Sequence, residues 1–139
     1  IEQLSWDEVA SRIANGAAAI LPIGAGAKAH GFHLPLNTDR IQAEWLAARM
    51  ARHVDALIWP TVTYGFYPAF VEYAGSGSLS ASTFESVVEE IVTAIVGYDL
   101  GFLDLLPRLF PHADVRASFG IPNAWNVISK RSAASTSRK

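Results

Sequence analysis

The chain has 139 residues, half of them hydrophobic, and a formal net charge of −2; this is enough apolar material for one globular core and gives no electrostatic case for a nucleic acid or an anionic membrane as partner. It contains no cysteine, which excludes disulfides, a thiolate nucleophile and Cys-based zinc sites, so any metal would be held by His and carboxylate. The first residues lack the basic start and apolar stretch of a signal peptide, and no run approaches the roughly 20 apolar residues of a membrane span, so the expectation is a soluble, cytoplasmic protein.

Taken in order, Ser5 and Glu8 form a capping box, and Trp6, Val9, Ala10 and Ile13 recur at helical spacing before an Asn15-Gly16 stop. The apolar run 17–23 reads as a strand buried on both faces in a parallel sheet, with Pro22 arguing against full pairing at its end. A permissive loop follows at Gly24, Gly26 and Gly31. Asn37, Thr38 and Asp39 then start a helix to about His53, with Ile41, Trp45, Leu46 and Met50 as its predicted inner face. Residues 56–59 predict a second strand, reaching Val62 past Pro60, and the order implies a βαβ crossover with ligands bound at the carboxyl ends of the strands.

Residues 63–80 are rich in aromatics and glycines and read as a long irregular loop. Ser82 and Glu85 predict a second capping box, opening a helix with Phe84, Val87, Val88, Ile91, Val92 and Ile95 on one face and Gly97 at its end. Beyond it, a Pro-interrupted apolar segment reads as a short helix or irregular structure. All 13 acidic residues lie at or before Asp114, and five of the 11 basic ones lie after it. The expected organisation is therefore one α/β domain over 1–115, a layered sheet of mostly parallel strands with flanking helices, and a divergent basic segment over 116–139, partly disordered.

The densest group of chemically capable residues is His30, His33 and Asp39, just after the first predicted strand. Two imidazoles and a carboxylate can ligate a metal or serve as acid and base; equally, the pattern suits a loop histidine and a helix-start aspartate. The glycines around Lys28 match neither phosphate-binding fingerprint, and no serine stands in a GxSxG elbow.

Three linked pieces, LPIG with HGFHLPLNTD, then WPTVTYGF, then AGSGSLSASTF before the long helix, resemble the creatininase (creatinine amidohydrolase) family over roughly residues 1–98. The resemblance implies a doubly wound α/β fold, homo-oligomeric assembly, and a divalent metal centre of zinc or manganese that hydrolyses a cyclic or linear non-peptide amide. By position, Asp39 would be the carboxylate bridging two metals, His30 a ligand of one of them, and His33 a neighbouring site group. Tyr64, Tyr67 and Tyr73 would line the substrate site or a subunit interface. No catalytic residue is assigned.

The chain departs from the family pattern in two places. Lys28 stands where a Glu two residues before the loop His is usual, and no later Asn-Gly-His type motif follows, His112 and Asp114 being the only later candidates. The loss of resemblance after about Tyr98 leads to the expectation of a truncated or frame-shifted member. Two functions follow: a metal-dependent amidohydrolase acting on a small-molecule amide, or a catalytically incomplete homologue serving as a structural or ligand-binding oligomer.

Overall fold

In the computed structural model, which describes residues 1–98, the first helix, α1 (Trp6–Ala14), begins where the capping box predicts. The Glu8 carboxylate accepts from the Ser5 N–H at 2.8 Å and from the Ser5 hydroxyl at 2.7 Å, which anchors the first turn and places negative charge at the positive end of the helix dipole. Gly16, at φ 84°, closes it in the left-handed conformation that glycine adopts without penalty. No residue of α1 is buried, and Trp6 is 83% exposed; its apolar spacing marks a helix without marking a covered face. Arg12 pairs with Asp55 and donates to the Ala56 carbonyl at 3.1 Å, fastening α1 to the start of the second strand.

Strands β1 (Ala18–Ile20) and β2 (Ala56–Ile58) are parallel, with Ala18 opposite Ala56 and Ile20 opposite Ile58. The predicted strand over 17–23 is shorter than expected because Pro22 brings no N–H to the ladder. Pairing nevertheless resumes beyond it: Val62 donates to the Pro22 carbonyl at 3.0 Å, and Ile23 bridges Val62 in parallel. This resumption carries the two segments side by side out of the sheet and into the site loop.

Helix α2 (Thr38–Met50) ends three residues before the predicted His53. Its predicted inner face is corrected, since Ile41, Trp45 and Leu46 are 49%, 62% and 51% exposed, and the buried residue is Ala47. A methyl side chain on the covered side lets the helix lie close; the bulky residues stand on the open side, where the Arg49 guanidinium lies 5.4 Å from the Trp45 ring. Residues 63–80 are irregular, as predicted, apart from a 3-10 turn at Pro68–Phe70. The Leu79 N–H returns to the Gly65 carbonyl at 2.9 Å and closes this excursion.

Helix α3 (Ala81–Val96) has its N-cap two residues before the predicted one. Ser80, not Ser82, is the N-cap, its hydroxyl accepting from the Thr83 N–H at 3.2 Å. The periodic face is right: Val88 and Ile95 are buried, and they join Ala17, Ala18, Ala47, Ala56 and Leu57 in the core. Gly97 ends the helix, donating to the Thr93 carbonyl at 3.1 Å. The Pro-interrupted segment, His112, Asp114 and the basic segment 116–139 lie outside the described residues.

Candidate metal centre

The loop after β1 is held by backbone pairing from two sides. Along one edge it continues the sheet direction, with Gly24 donating to the Val62 carbonyl at 3.0 Å and Gly26 to the Thr63 carbonyl at 2.8 Å. Across its middle, the aromatic segment 63–80 clasps it: Gly77 donates to the Ala27 carbonyl at 3.0 Å, the Ala29 N–H donates to the Ser76 hydroxyl at 2.9 Å, and the Tyr67 hydroxyl donates to the Ala27 carbonyl at 3.3 Å. The Lys28 N–H to the Leu36 carbonyl, 3.1 Å, closes the base of the turn that Gly31 makes at φ 72°. The loop is thus fixed along its length, which is what a site built on irregular backbone requires.

Asp39 comes from the first turn of α2, and that turn is pressed against the loop. Arg40 donates to the Ala25 carbonyl at 3.2 Å. A Cβ built on Gly24 would lie 2.5 Å from the Asp39 carbonyl oxygen and 2.9 Å from the Arg40 Cα. Glycine at this position is therefore what lets the helix start reach the strand end, and it sets the height at which the Asp39 carboxylate meets His30.

The two leading candidates are brought together. His30 Nε2 lies 2.8 Å from Asp39 Oδ1, and His30 Nδ1 lies 2.7 Å from the Lys28 carbonyl. Both ring nitrogens face acceptors, so both donate when the ring carries two protons. With one proton, only one of the two contacts is a hydrogen bond, because the carbonyl and the ionised carboxylate can each only accept. The remaining carboxylate oxygen, Oδ2, is paired with the Lys28 ammonium. Burial pushes the Asp39 carboxyl up, but the hydrogen bonds and positive charges of Lys28 and His30 outweigh it and hold the group below its ordinary range. Lys28 is also backed by the Phe70 ring, whose centroid lies 5.3 Å from the ammonium.

The other candidates are set apart. His33 is exposed, with its ring folded against Gly31, and joins neither His30 nor Asp39. Tyr64 and Tyr73 are 56% and 59% exposed. Tyr67 is partly buried, and burial raises its hydroxyl above the usual phenol range; its hydrogen bond to Ala27 makes it a brace of the loop. Sequence reasoning missed Lys28 as a partner of Asp39, together with Ser76 and Phe70. The spacing of Lys28, two residues before His30 in a glycine-rich turn, is the one sequence signal that points to it.

The donor set suits a divalent ion in type, since neutral imidazole and carboxylate serve zinc and manganese alike. Among the described residues, however, no group of three or more His, Cys, Asp or Glu side chains is clustered for a metal. His30 Nε2 and Asp39 Oδ1 are thus two donors of a site whose further ligands would come from elsewhere.

Comparison with known proteins gives a consistent picture over the same stretch. A family model for creatininase, described as creatinine amidohydrolase, matches residues 2–102. The creatinine amidohydrolase of Pseudomonas putida is 29% identical over 98 residues, taking in 66% of this chain and 37% of that protein. A solved structure described as "Creatininase Mn" superposes with a TM-score of 0.67 at 25% identity, covering 72% of this chain and 41% of that one. A shorter match, 44% identical over 45 residues, is to a Stenotrophomonas maltophilia (strain K279a) protein named for NADH dehydrogenase/NAD(P)H nitroreductase; it takes in 32% of this chain and 23% of that protein, too little to bear on the fold. The chain spans about two fifths of the length of the creatininase relatives it matches, 37% of one and 41% of the other.

Proposed function

We propose, because this chain belongs to the creatininase family, that its chemistry is metal-dependent hydrolysis of a small, non-peptide amide, cyclic or linear, and that the loop described above carries part of the metal centre. The observation that supports this reading most is the 2.8 Å approach of His30 Nε2 to Asp39 Oδ1 at the carboxyl end of parallel strands, the place where such folds bind their ligands.

A divalent ion, when bound, supplies a Lewis acid and an activated water for attack on the amide carbonyl. His30 would hold it through Nε2 while its Nδ1–H donates to the Lys28 carbonyl, which would fix the tautomer and the ring plane. Asp39 would hold it through Oδ1. Gly24, Ser76 and Tyr67 keep these two groups at a fixed separation, so little rearrangement accompanies binding. Tyr64 and Tyr73 are left free for substrate or for a second subunit. Self-association is part of the same reading, supported by the exposed Ile41, Trp45 and Leu46 on α2. The described residues include no helix long and apolar enough to cross a membrane.

Metal content tests the proposal. The chain is loaded with MnCl2 or ZnCl2, desalted and analysed for metal, as wild type and as His30→Ala and Asp39→Ala. Retained metal that is lost in both variants is the expected result. A folded wild type that retains none refutes the hydrolase reading and favours a second one, a catalytically incomplete homologue, for which the Lys28–Asp39 ion pair already speaks.

A further inference from the structure

Two irregular excursions of the chain, 29–37 after β1 and 63–80 after β2, are clasped into one surface. The Ala29 N–H donates to the Ser76 hydroxyl at 2.9 Å. Side chains continue the contact: a Cβ on Gly75 would fall 2.6 Å from Leu36 Cδ1, and one on Gly77 would fall 3.6 Å from the Tyr64 ring. The Phe70 and Tyr73 ring centres lie 6.3 Å apart. What this surface turns to solvent is apolar. Phe32 is fully exposed, and Leu34, Leu36, Tyr64, Val71 and Tyr73 are exposed in part. Residues 29–37 contain no Asp, Glu, Lys or Arg, and residues 63–80 contain one, Glu72.

From this arrangement we infer that the clasped face is where a second copy of the chain docks, the two copies meeting through the same surface about a two-fold axis. With about 150–250 Å² for a complete aromatic side chain and less for Leu or Val, the exposed parts of these six residues come to roughly 500–800 Å². A stable interface takes about 600–1,000 Å² from each partner, whereas a lone chain rarely leaves more than a few hundred Å² of contiguous apolar surface in water. Charge selects the occupant. A face with one carboxylate and no cation gives a strongly acidic or basic partner nothing to pair with, and an identical face matches it in apolar character. The exposed Ile41, Trp45 and Leu46 of α2 offer a poorer surface, being interleaved with Arg40, Glu44 and Arg49; the Arg49 guanidinium already lies 5.4 Å from the Trp45 ring. The loop is also held before any contact is made. The Thr38 N–H and hydroxyl both donate to the Pro35 carbonyl, at 3.2 Å and 2.6 Å, and the Lys28 N–H donates to the Leu36 carbonyl at 3.1 Å, so docking has little backbone left to order. Self-association thereby acquires a face of its own, and nothing in that face depends on a bound metal.

Sedimentation velocity of the full chain from about 1 to 100 μM, without added metal, is the test. The wild type is expected to form a species of twice the 15.0 kDa chain mass. Phe32→Ser and Tyr73→Ser are each expected to raise the dissociation constant at least about tenfold, and Trp45→Ser on α2 to leave it within about twofold. A wild type that stays monomeric at about 100 μM overturns the inference. So does an assembly that both loop substitutions leave intact, or one that Trp45→Ser weakens as much as Phe32→Ser does. Should the loop variants lose their fold by circular dichroism, amide exchange of the wild type decides: slower exchange over 31–36 and 71–77 at the high concentration than at the low one supports the face, and slowing only elsewhere, or none, overturns it. Neither result alters the outcome expected for metal retention, so the two proposals fail separately.

Discussion

Replacing Gly24 by alanine tests whether the site is set by the contact between the strand end and the start of α2. The added Cβ would lie 2.5 Å from the Asp39 carbonyl oxygen, 2.8 Å from its carbon and 2.9 Å from the Arg40 Cα, all of them backbone atoms that no rotamer change can move. Real contacts of this kind essentially never fall under 3.0 Å, so the helix start must retreat by at least about half an ångström. Overpacking of this sort costs about 1–3 kcal/mol. The retreat also strains the Arg40 N–H bond to Ala25 and the Gly24 N–H bond to Val62, each worth about 1 kcal/mol. The expected loss is therefore about 2–4 kcal/mol. Gly16→Ala is the control: φ is 84° there, yet nothing lies within 4 Å of the added carbon, so only the left-handed backbone penalty of about 1 kcal/mol applies. Urea denaturation followed by circular dichroism gives both values. If Gly24→Ala costs no more than Gly16→Ala, the backbone approach is not what fixes Asp39.

The Asp39 carboxyl is held below its ordinary value, so its stabilisation is fully present above the unfolded value near 3.9 and is lost as pH falls through the lower folded value; thermal melts from pH 7 downward should show a shallower acid limb in Asp39→Asn, and identical limbs would contradict the pairing. At pH 7 the same substitution is expected to cost about 1–2 kcal/mol, because it leaves Lys28 and His30 partly covered without their anion. Ser80→Ala should destabilise α3 by about 1 kcal/mol and Ser82→Ala by less than about 0.5 kcal/mol; a reversed order in chemical denaturation would restore the cap to Ser82. Ser76→Ala removes the acceptor of the Ala29 N–H, and a loss of about 1 kcal/mol with faster amide exchange at Ala29 is the expected outcome.

What could be read from the sequence was what depends on local chemistry. Ser5 and Glu8 announce α1, a glycine-bounded apolar run announces β1, and the spacing of Phe84, Val88 and Ile95 announces α3, because each signal lies within a few residues of its effect. That His30 and Asp39 belong to one chemically capable cluster is legible from their proximity in sequence, but the nine-residue separation does not by itself say that Gly31 and Gly24 fold those two, and not His33, together. From the sequence, Lys28 is only a residue standing where a Glu is usual. Its role as a counter-charge depends on loop curvature and on Phe70, 42 positions further along the chain. The inner face of α2 was misread for another reason: Ile41, Trp45 and Leu46 follow helical spacing, but spacing says which residues share a face and not which face is covered. The start of α3 was displaced because Ser82 with Glu85 has the stronger pattern, whereas Ser80 has the geometry.

The clasp between the site loop and the aromatic segment has a consequence for how the protein reaches its working form. The bond from Gly77 to Ala27 and the one from Ala29 to Ser76 join positions about 50 residues apart, so their closure waits on the parallel pairing of β1 with β2. His30 and Asp39 sit on the early side of that closure, and during synthesis both have left the ribosome before their support exists. Until the 63–80 segment arrives, the loop that carries His30 lacks the Ser76 and Gly77 partners that fix it. The 63–80 segment is thereby the latch on a pair of side chains that the chain supplies first.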